Sequence, residues 1–146
     1  MERLDDIDYK ILEELKRNAK AHYREIAEKL GLSITLVFKR IKKLEQAKVI
    51  KRYTIVTDDD KLGKSLTAFV GINVRPSDAD KVIEELSKMH EVTELFKVTG
   101  DFDLLAKIKV SSTDELWHFL YVKTTKIKEI LKTTTMLAVK AVKEEL

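Results

Sequence analysis

The side chains with the plainest chemical purpose lie between residues 33 and 52. Ser33, Thr35, Leu36, Phe38, Lys39, Arg40, Lys42 and Lys43 follow a glycine turn at Gly31, and Lys51 and Arg52 come shortly after. Cations this dense suit the phosphates of nucleic acid, which position a protein without telling it the sequence. Arg40, Lys42, Lys43, Lys51 and Arg52 are the candidates for that role. Thr35, Leu36, Phe38 and Lys39 fall in the first half of a helix, where a recognition helix meets base edges. Lys39 can donate to guanine O6 and N7, and apolar groups can meet the thymine methyl. Phe38 has a competing role in core packing against the first helix or the following strand. Arg40 has one as an ion-pair partner for an acid of the first two helices. A second group is Gly100-Asp-Phe-Asp103. Glycine and aspartate are the ordinary residues of a tight turn. The same residues also offer free N–H groups for an α-carboxylate and a carboxylate for an α-ammonium, the complement of an amino acid.

Other chemistries are poorly supplied. There is no cysteine, hence no disulfide framework and no thiolate metal site. His22, His90 and His118 are scattered, so neither a metal centre nor a catalytic constellation is expected, and the chain is not read as an enzyme. No apolar run is long enough to cross a membrane. The charged start, Met1-Glu-Arg-Leu-Asp-Asp-Ile-Asp8, is unlike a signal peptide, and a cytoplasmic location is expected. Net charge is only +3, but it is unevenly placed. Residues 1–57 carry 14 Lys/Arg against 9 Asp/Glu, and the remainder 14 against 16. A basic front part joined to a slightly acidic one is the electrostatic pattern of a DNA-binding domain with a partner domain.

The elements that must position these residues follow from periodicity. Asp5 or Asp6 caps a first helix with Ile7, Ile11, Leu12 and Leu15 as its apolar stripe, fading near Asn18. Tyr23 to Leu30 is a short helix with Ile26, Ala27 and Leu30 inward. Ser33 caps a third, in which Val37, Ile41 and Leu44 share one face. Two short helices joined by a glycine turn, the second of them basic, form a helix-turn-helix. Val49 to Thr57 is rich in β-branched and aromatic residues and is expected as a wing or linker strand. The turn Asp58-Asp-Asp-Lys-Leu-Gly63 separates a first domain, 1–57, from a second, 64–146. The second alternates strand 66–74, helix 78–89, strand 92–99, strand 104–110, a helix after Ser112, and a strand from Ile130 to about Val142. That βαββαβ order is the ferredoxin-like fold, and the fold class is α+β. Trp117 and Tyr121 share a helical face and are expected in the core, with His118 on the surface. Helices cover one sheet face only, so a second copy of the chain is expected on the other.

In this order and spacing the motifs resemble the Lrp/AsnC (leucine-responsive, feast/famine) family of transcription regulators over nearly the full length. They are Leu4-Asp-Asp-Ile-Asp8 with Ile11-Leu12, Glu25-Ile-Ala27, Gly31-Leu-Ser33 with Val37, Arg40, Ile41 and Leu44-Glu45, then Val49-Ile50, Tyr53 and Leu62-Gly63. Val98-Thr-Gly-Asp-Phe-Asp-Leu104, Thr133 and Thr135 complete the set. The resemblance implies a winged helix-turn-helix on double-stranded DNA and an amino-acid-sensing second domain. It also implies homodimers that assemble further, to tetramers or octamers. It places effector contacts near Gly100, Asp101 and Asp103, and at Thr133 and Thr135, between dimers. No other cofactor is implied. The Lys- and Glu-rich composition is compatible with a thermophilic, for instance archaeal, source. Three departures stand out. Lys48 replaces a usual glycine, where a left-handed stop would cost about 1–2 kcal/mol. Lys128-Glu129 replaces Pro-Gly, and Leu36 and Phe38 stand where small polar residues are common. Two rival readings share parts of the pattern: an architectural protein binding DNA with little sequence preference, and a siroheme-decarboxylase-like enzyme of the same two-part architecture.

Overall fold

The computed structural model describes residues 3–144, and its first unit is built on caps. Asp5 accepts from the Asp8 N–H while the Asp8 side chain accepts from the Asp5 N–H, a reciprocal box that starts α1, Asp6–Arg17. The second helix α2, Tyr23–Leu30, stops at Gly31 with φ 64°, and Ser33 starts α3, Ile34–Gln46. Val37, Ile41 and Leu44 from α3 are fully buried against Ile11, Leu15, Ile26 and Ala27. The three helices therefore share one small apolar core.

α3 ends as a left-handed stop at Lys48, where φ is 58°. The Val49 N–H donates to Leu44 O at 3.0 Å and the Lys48 N–H to Glu45 O at 3.1 Å. This is the double hydrogen bond that normally carries glycine. The chain keeps the same exit and bears the strain of a side chain there. Beyond it, Lys51–Thr57 is largely exposed and joins no strand ladder among the described residues. The expected wing or linker strand is therefore not formed within one chain. A strand needs a partner, and the nearest apolar side chains, Ile55 and Val56, lie 74% and 80% exposed.

The second unit begins at Thr57, so the acidic turn 58–63 belongs with the sheet domain rather than with the helices before it. Its elements are β1 Leu66–Val74, α4 Ala79–Ser87, β2 Val92–Lys97, β3 Leu104–Val110, α5 Thr113–His118 and β4 Ile130–Leu137. The four strands form one antiparallel sheet in the order β2-β3-β1-β4. Alternation in β1 and β3 turns Ala68, Val70, Ile72 and Val74, and Leu104, Ala106, Ile108 and Val110, toward the helices. Val82, Leu86, Leu116 and Phe119 meet them there.

Two expectations are corrected in this unit. β4 stops at Leu137, because after the Ala138 N–H reaches Thr67 O its neighbour β1 runs out. Trp117 and Tyr121 lie outside the core, about three-fifths exposed and stacked on each other with centroids 4.8 Å apart. The inward stripe is instead Leu116, Phe119 and Leu120, at i, i+3 and i+4, and the helix continues past His118 as a wider π-type turn, Phe119–Lys123.

The exit at Lys48 carries a stability prediction. Lys48→Gly removes a left-handed penalty of about 1–2 kcal/mol and adds less than that in backbone entropy. Chemical denaturation should show the variant more stable by about 0.5–1 kcal/mol. No change, or a loss, would mean that the left-handed stop is not the resting conformation.

Candidate nucleic-acid interface and effector loop

The capping of α3 decides which of its side chains are free. Ser33 Oγ accepts from the Leu36 N–H at 3.1 Å, fixing the first turn. With Val37, Ile41 and Leu44 inward, the opposite side presents Ile34, Thr35, Phe38, Lys39 and Lys42. Leu36 is half-buried, at the flank of this surface rather than on it. Phe38 is 45% exposed and meets the Tyr23 ring edge-on at 5.7 Å. It thus packs on α2, and neither α1 nor a wing takes it up. Tyr23 and Ile34 join the surface although sequence reasoning passed over them. The signal available for both was position, at the first residue of α2 and of α3.

Lys42 and Arg40 have different fates. Lys42 Nζ lies 5.9 Å from the Phe38 ring centre and bonds Glu45 at 2.9 Å. Tyr53 donates its hydroxyl to the other Glu45 oxygen at 2.8 Å. Burial, and then this carboxylate, push the Tyr53 phenol up to about 12. Lys42 and Tyr53 together hold Glu45 below the usual carboxylate range. Arg40 turns the other way. Its Nη1 donates to Asp5 at 2.6 Å and to Asp8 at 3.1 Å, and Asp8 is fully buried. Of its two roles open in the sequence, the ion pair is the one formed. Its partners raise the Arg40 pKa, while the Asp8 N–H and then Arg40 hold Asp5 below its ordinary value. The contribution of Asp5 to stability is therefore present above the ordinary carboxylate pKa of about 3.9 and fades as pH falls below it. Lys43 is half-buried, while Lys39, Lys51 and Arg52 are exposed.

The loop between β2 and β3 is pinned to β1. Asp103 donates its N–H to Ile72 O and accepts from the Val74 N–H at 2.9 Å. Asn73 Nδ2 donates to Asp101 O at 2.8 Å. Phe102 covers Gly71 so closely that a Cβ there would come within 2.6 Å of its ring. Gly100 has φ 112°, a conformation side chains rarely adopt. Within this frame Asp101 is exposed, and its carboxylate has no partner among the described residues. The Asp103 carboxylate is already used to hold the loop. Thr133 and Thr135 lie on β4, opposite Ile72 and Val70. β1 stands between them and the loop, so one chain does not bring the two groups together.

Comparison with known proteins decides the family. Residues 4–51 match the winged helix-turn-helix DNA-binding domain and residues 67–146 the Lrp/AsnC ligand binding domain. The chain belongs to the Lrp/AsnC family of transcription regulators. It is 37% identical over 141 residues to the HTH-type transcriptional regulator FL11 of Pyrococcus furiosus, covering 97% of this chain and 93% of that one. The structure of E. coli AsnC superposes with a TM-score of 0.93 at 30% identity, covering 99% and 98% of the two chains. The fold is also that of the regulator NMB0573 of Neisseria meningitidis, solved as an L-Met complex, with a TM-score of 0.94 at 23% identity over 98% and 94%. This Lrp/AsnC chain is thus a ligand-modulated DNA-binding regulator. No helix among its described residues is long and apolar enough to cross a membrane.

Arg40 and Lys39, neighbours in sequence, should separate under mutation. Arg40→Ala strands the buried Asp8 carboxylate and should lower stability by about 2 kcal/mol. Lys39→Ala should leave the melting temperature within a degree or two and weaken DNA binding. Equal thermal stability of the two variants would contradict this division of roles.

Proposed function

We propose that this regulator reads a specific, pseudo-palindromic DNA site as a homodimer, and that an amino acid bound at the second domain modulates it. The observation that carries the DNA part is the outward side of α3. Thr35, Phe38, Lys39 and Lys42 lie together there, opposite the buried Val37, Ile41 and Leu44. Thr35 and Lys39 supply polar contacts to base edges, and Phe38 an apolar contact to thymine. Lys51 and Arg52 contact phosphate, with Ser33 at the helix start and Lys42 and Lys43 at the flank. Arg40 acts indirectly, by holding the helix at its angle. Two such helices in a dimer fall in successive major grooves.

Self-association rests on the uncovered sheet face. Phe69, Phe96 and Met136 are 36%, 51% and 45% exposed on the side away from the helices, with Phe96 opposite Leu105 and Phe69 between Lys107 and Met136. A second sheet laid on this face removes that surface from water. Ile55 and Val56 of the segment after α3 gain the strand partner they lack in one chain. Further association to tetramers or octamers would bring Thr133 and Thr135 of one chain to the Gly100–Asp103 loop of another. The free Asp101 carboxylate then takes an α-ammonium group, and the N–H groups beside Gly100 an α-carboxylate. Coupling through such a site is typically about 1–3 kcal/mol.

The architectural reading draws on one observation. Ile34 and Phe38 put apolar surface where bidentate donors would discriminate bases most strongly, which favours tolerance of sequence. The enzymatic reading has no such support. His22 stands on the first unit and His90 and His118 on the second, each exposed, whereas a tetrapyrrole would need them gathered around it.

Asp101→Ala tests the effector half. The variant should bind DNA as the unchanged chain does and lose its response to the amino acid that modulates the unchanged chain. A normal response in the variant would remove Asp101 from the effector site.

A further inference from the structure

We propose that His90, Glu91 and Glu115 form a binding site for a divalent transition-metal ion of the zinc type, in the second unit and away from the effector loop. The starting point is Glu91, which is 2% exposed. Its Oε1 is held by Lys123, but its Oε2 is buried with no hydrogen-bond partner, the one side-chain atom in that state among the described residues. A buried carboxylate oxygen left without a donor is costly, and a cation beside it would remove that cost. The atom facing Glu91 Oε2 is His90 Nδ1 at 3.3 Å, and His90 Nε2 is 3.8 Å from Glu115 Oε1.

The geometry around the three groups is that of prepared ligands. One ring nitrogen and one oxygen from each carboxylate lie within 4.8 Å of one another. Zinc bonds of about 2.0–2.2 Å to nitrogen and oxygen set neighbouring donors roughly 3.3–3.5 Å apart. His90 has a side chain 70% exposed, so a ring rotation can close the difference. Glu115 is aimed from behind. Its Oε2 accepts from both the N–H and the hydroxyl of Ser111 at 2.7 Å, which leaves Oε1 turned to His90. Lys123 does the same for Glu91. Outer partners that orient first ligands in this way are a regular feature of metal sites.

The donor set selects the ion. One imidazole with two carboxylates suits zinc, cobalt or nickel, whereas magnesium and calcium take mostly oxygen donors. Water fills the remaining positions, because His90 and one side of Glu115 face solvent. The ion would tie the end of the α4–β2 turn to α5, giving the ligand-binding domain a second, inorganic input. The competing account is an imidazolium bridging the two acids, which needs no metal.

Cobalt(II) titration of the full-length chain at pH 7 distinguishes them. The expected result is one ion per chain, with a visible absorption band that zinc abolishes. His90→Gln and Glu115→Gln should each weaken cobalt binding by about tenfold or more. The double variant His22→Gln, His118→Gln should bind as the unchanged chain does. Circular dichroism should show His90→Gln folded, since the residue is exposed. No saturable band would overturn the proposal in favour of the imidazolium bridge. A band that survives His90→Gln, or is lost with the other two histidines, would also overturn it.

Discussion

Arg40 reaches from the middle of α3 to two carboxylates at the start of α1, and the first unit is arranged around that contact. Asp8 is at once the return half of the α1 capping box and a fully buried charge. A charge in that position needs a cation, and removing one partner of such a pair costs more than the pair contributes. The apolar core behind it holds only a few side chains from three short helices, close to the lower limit for a stable fold. The ion pair adds a directional tie between α3 and the start of α1 to that packing. Both hydrogen bonds come from the one nitrogen, Nη1, so a single charged group holds both acids. With Arg40 turned to the acids of α1 and Val37, Ile41 and Leu44 buried, Thr35, Phe38, Lys39 and Lys42 are the outward set of α3.

The second unit follows a different rule. Alternation in β1 and β3 fills the helix side and leaves Phe69, Phe96 and Met136 exposed on the other face. That face also carries paired charges: Lys107, opposite Phe69, meets Glu94 and Glu144, and Lys109 meets Asp59. The loop at Gly100 is held to the same sheet by the Asp103 carboxylate and by Phe102 on Gly71. A site anchored to strands keeps its geometry better than one on a free loop.

The sequence made α1 to α3, the strands β1 and β3 and the α+β class legible, because caps and periods there agree with burial. It left undecided whether Arg40 meets phosphate or acid, since a basic residue on a helix is chemically fit for both. Only the distance to Asp8 separates the two. Trp117 and Tyr121 misled because they form an i, i+4 pair beside another, Leu116 and Leu120, and helical spacing alone does not say which pair faces the sheet. The segment after α3 has strand composition without a strand partner, and composition says nothing about who the partner is. Lys48 was identified as an awkward stop, and the chain stops there nonetheless. His90, Glu91 and Glu115 were invisible as a group, because Glu115 comes from a helix two strands later in the chain.

The central claim is that the outward side of α3 reads base sequence. Its most direct test is the affinity of the full-length chain for DNA from its own promoter and for a scrambled copy, each at several salt concentrations. Phosphate contacts weaken with salt alike on both DNAs, whereas base contacts separate the two curves by a constant ratio. Parallel salt slopes and a promoter preference of about a thousandfold or more, reduced in Lys39→Ala, are expected. Coincident curves for the two DNAs would contradict it and leave a protein that binds DNA without reading it.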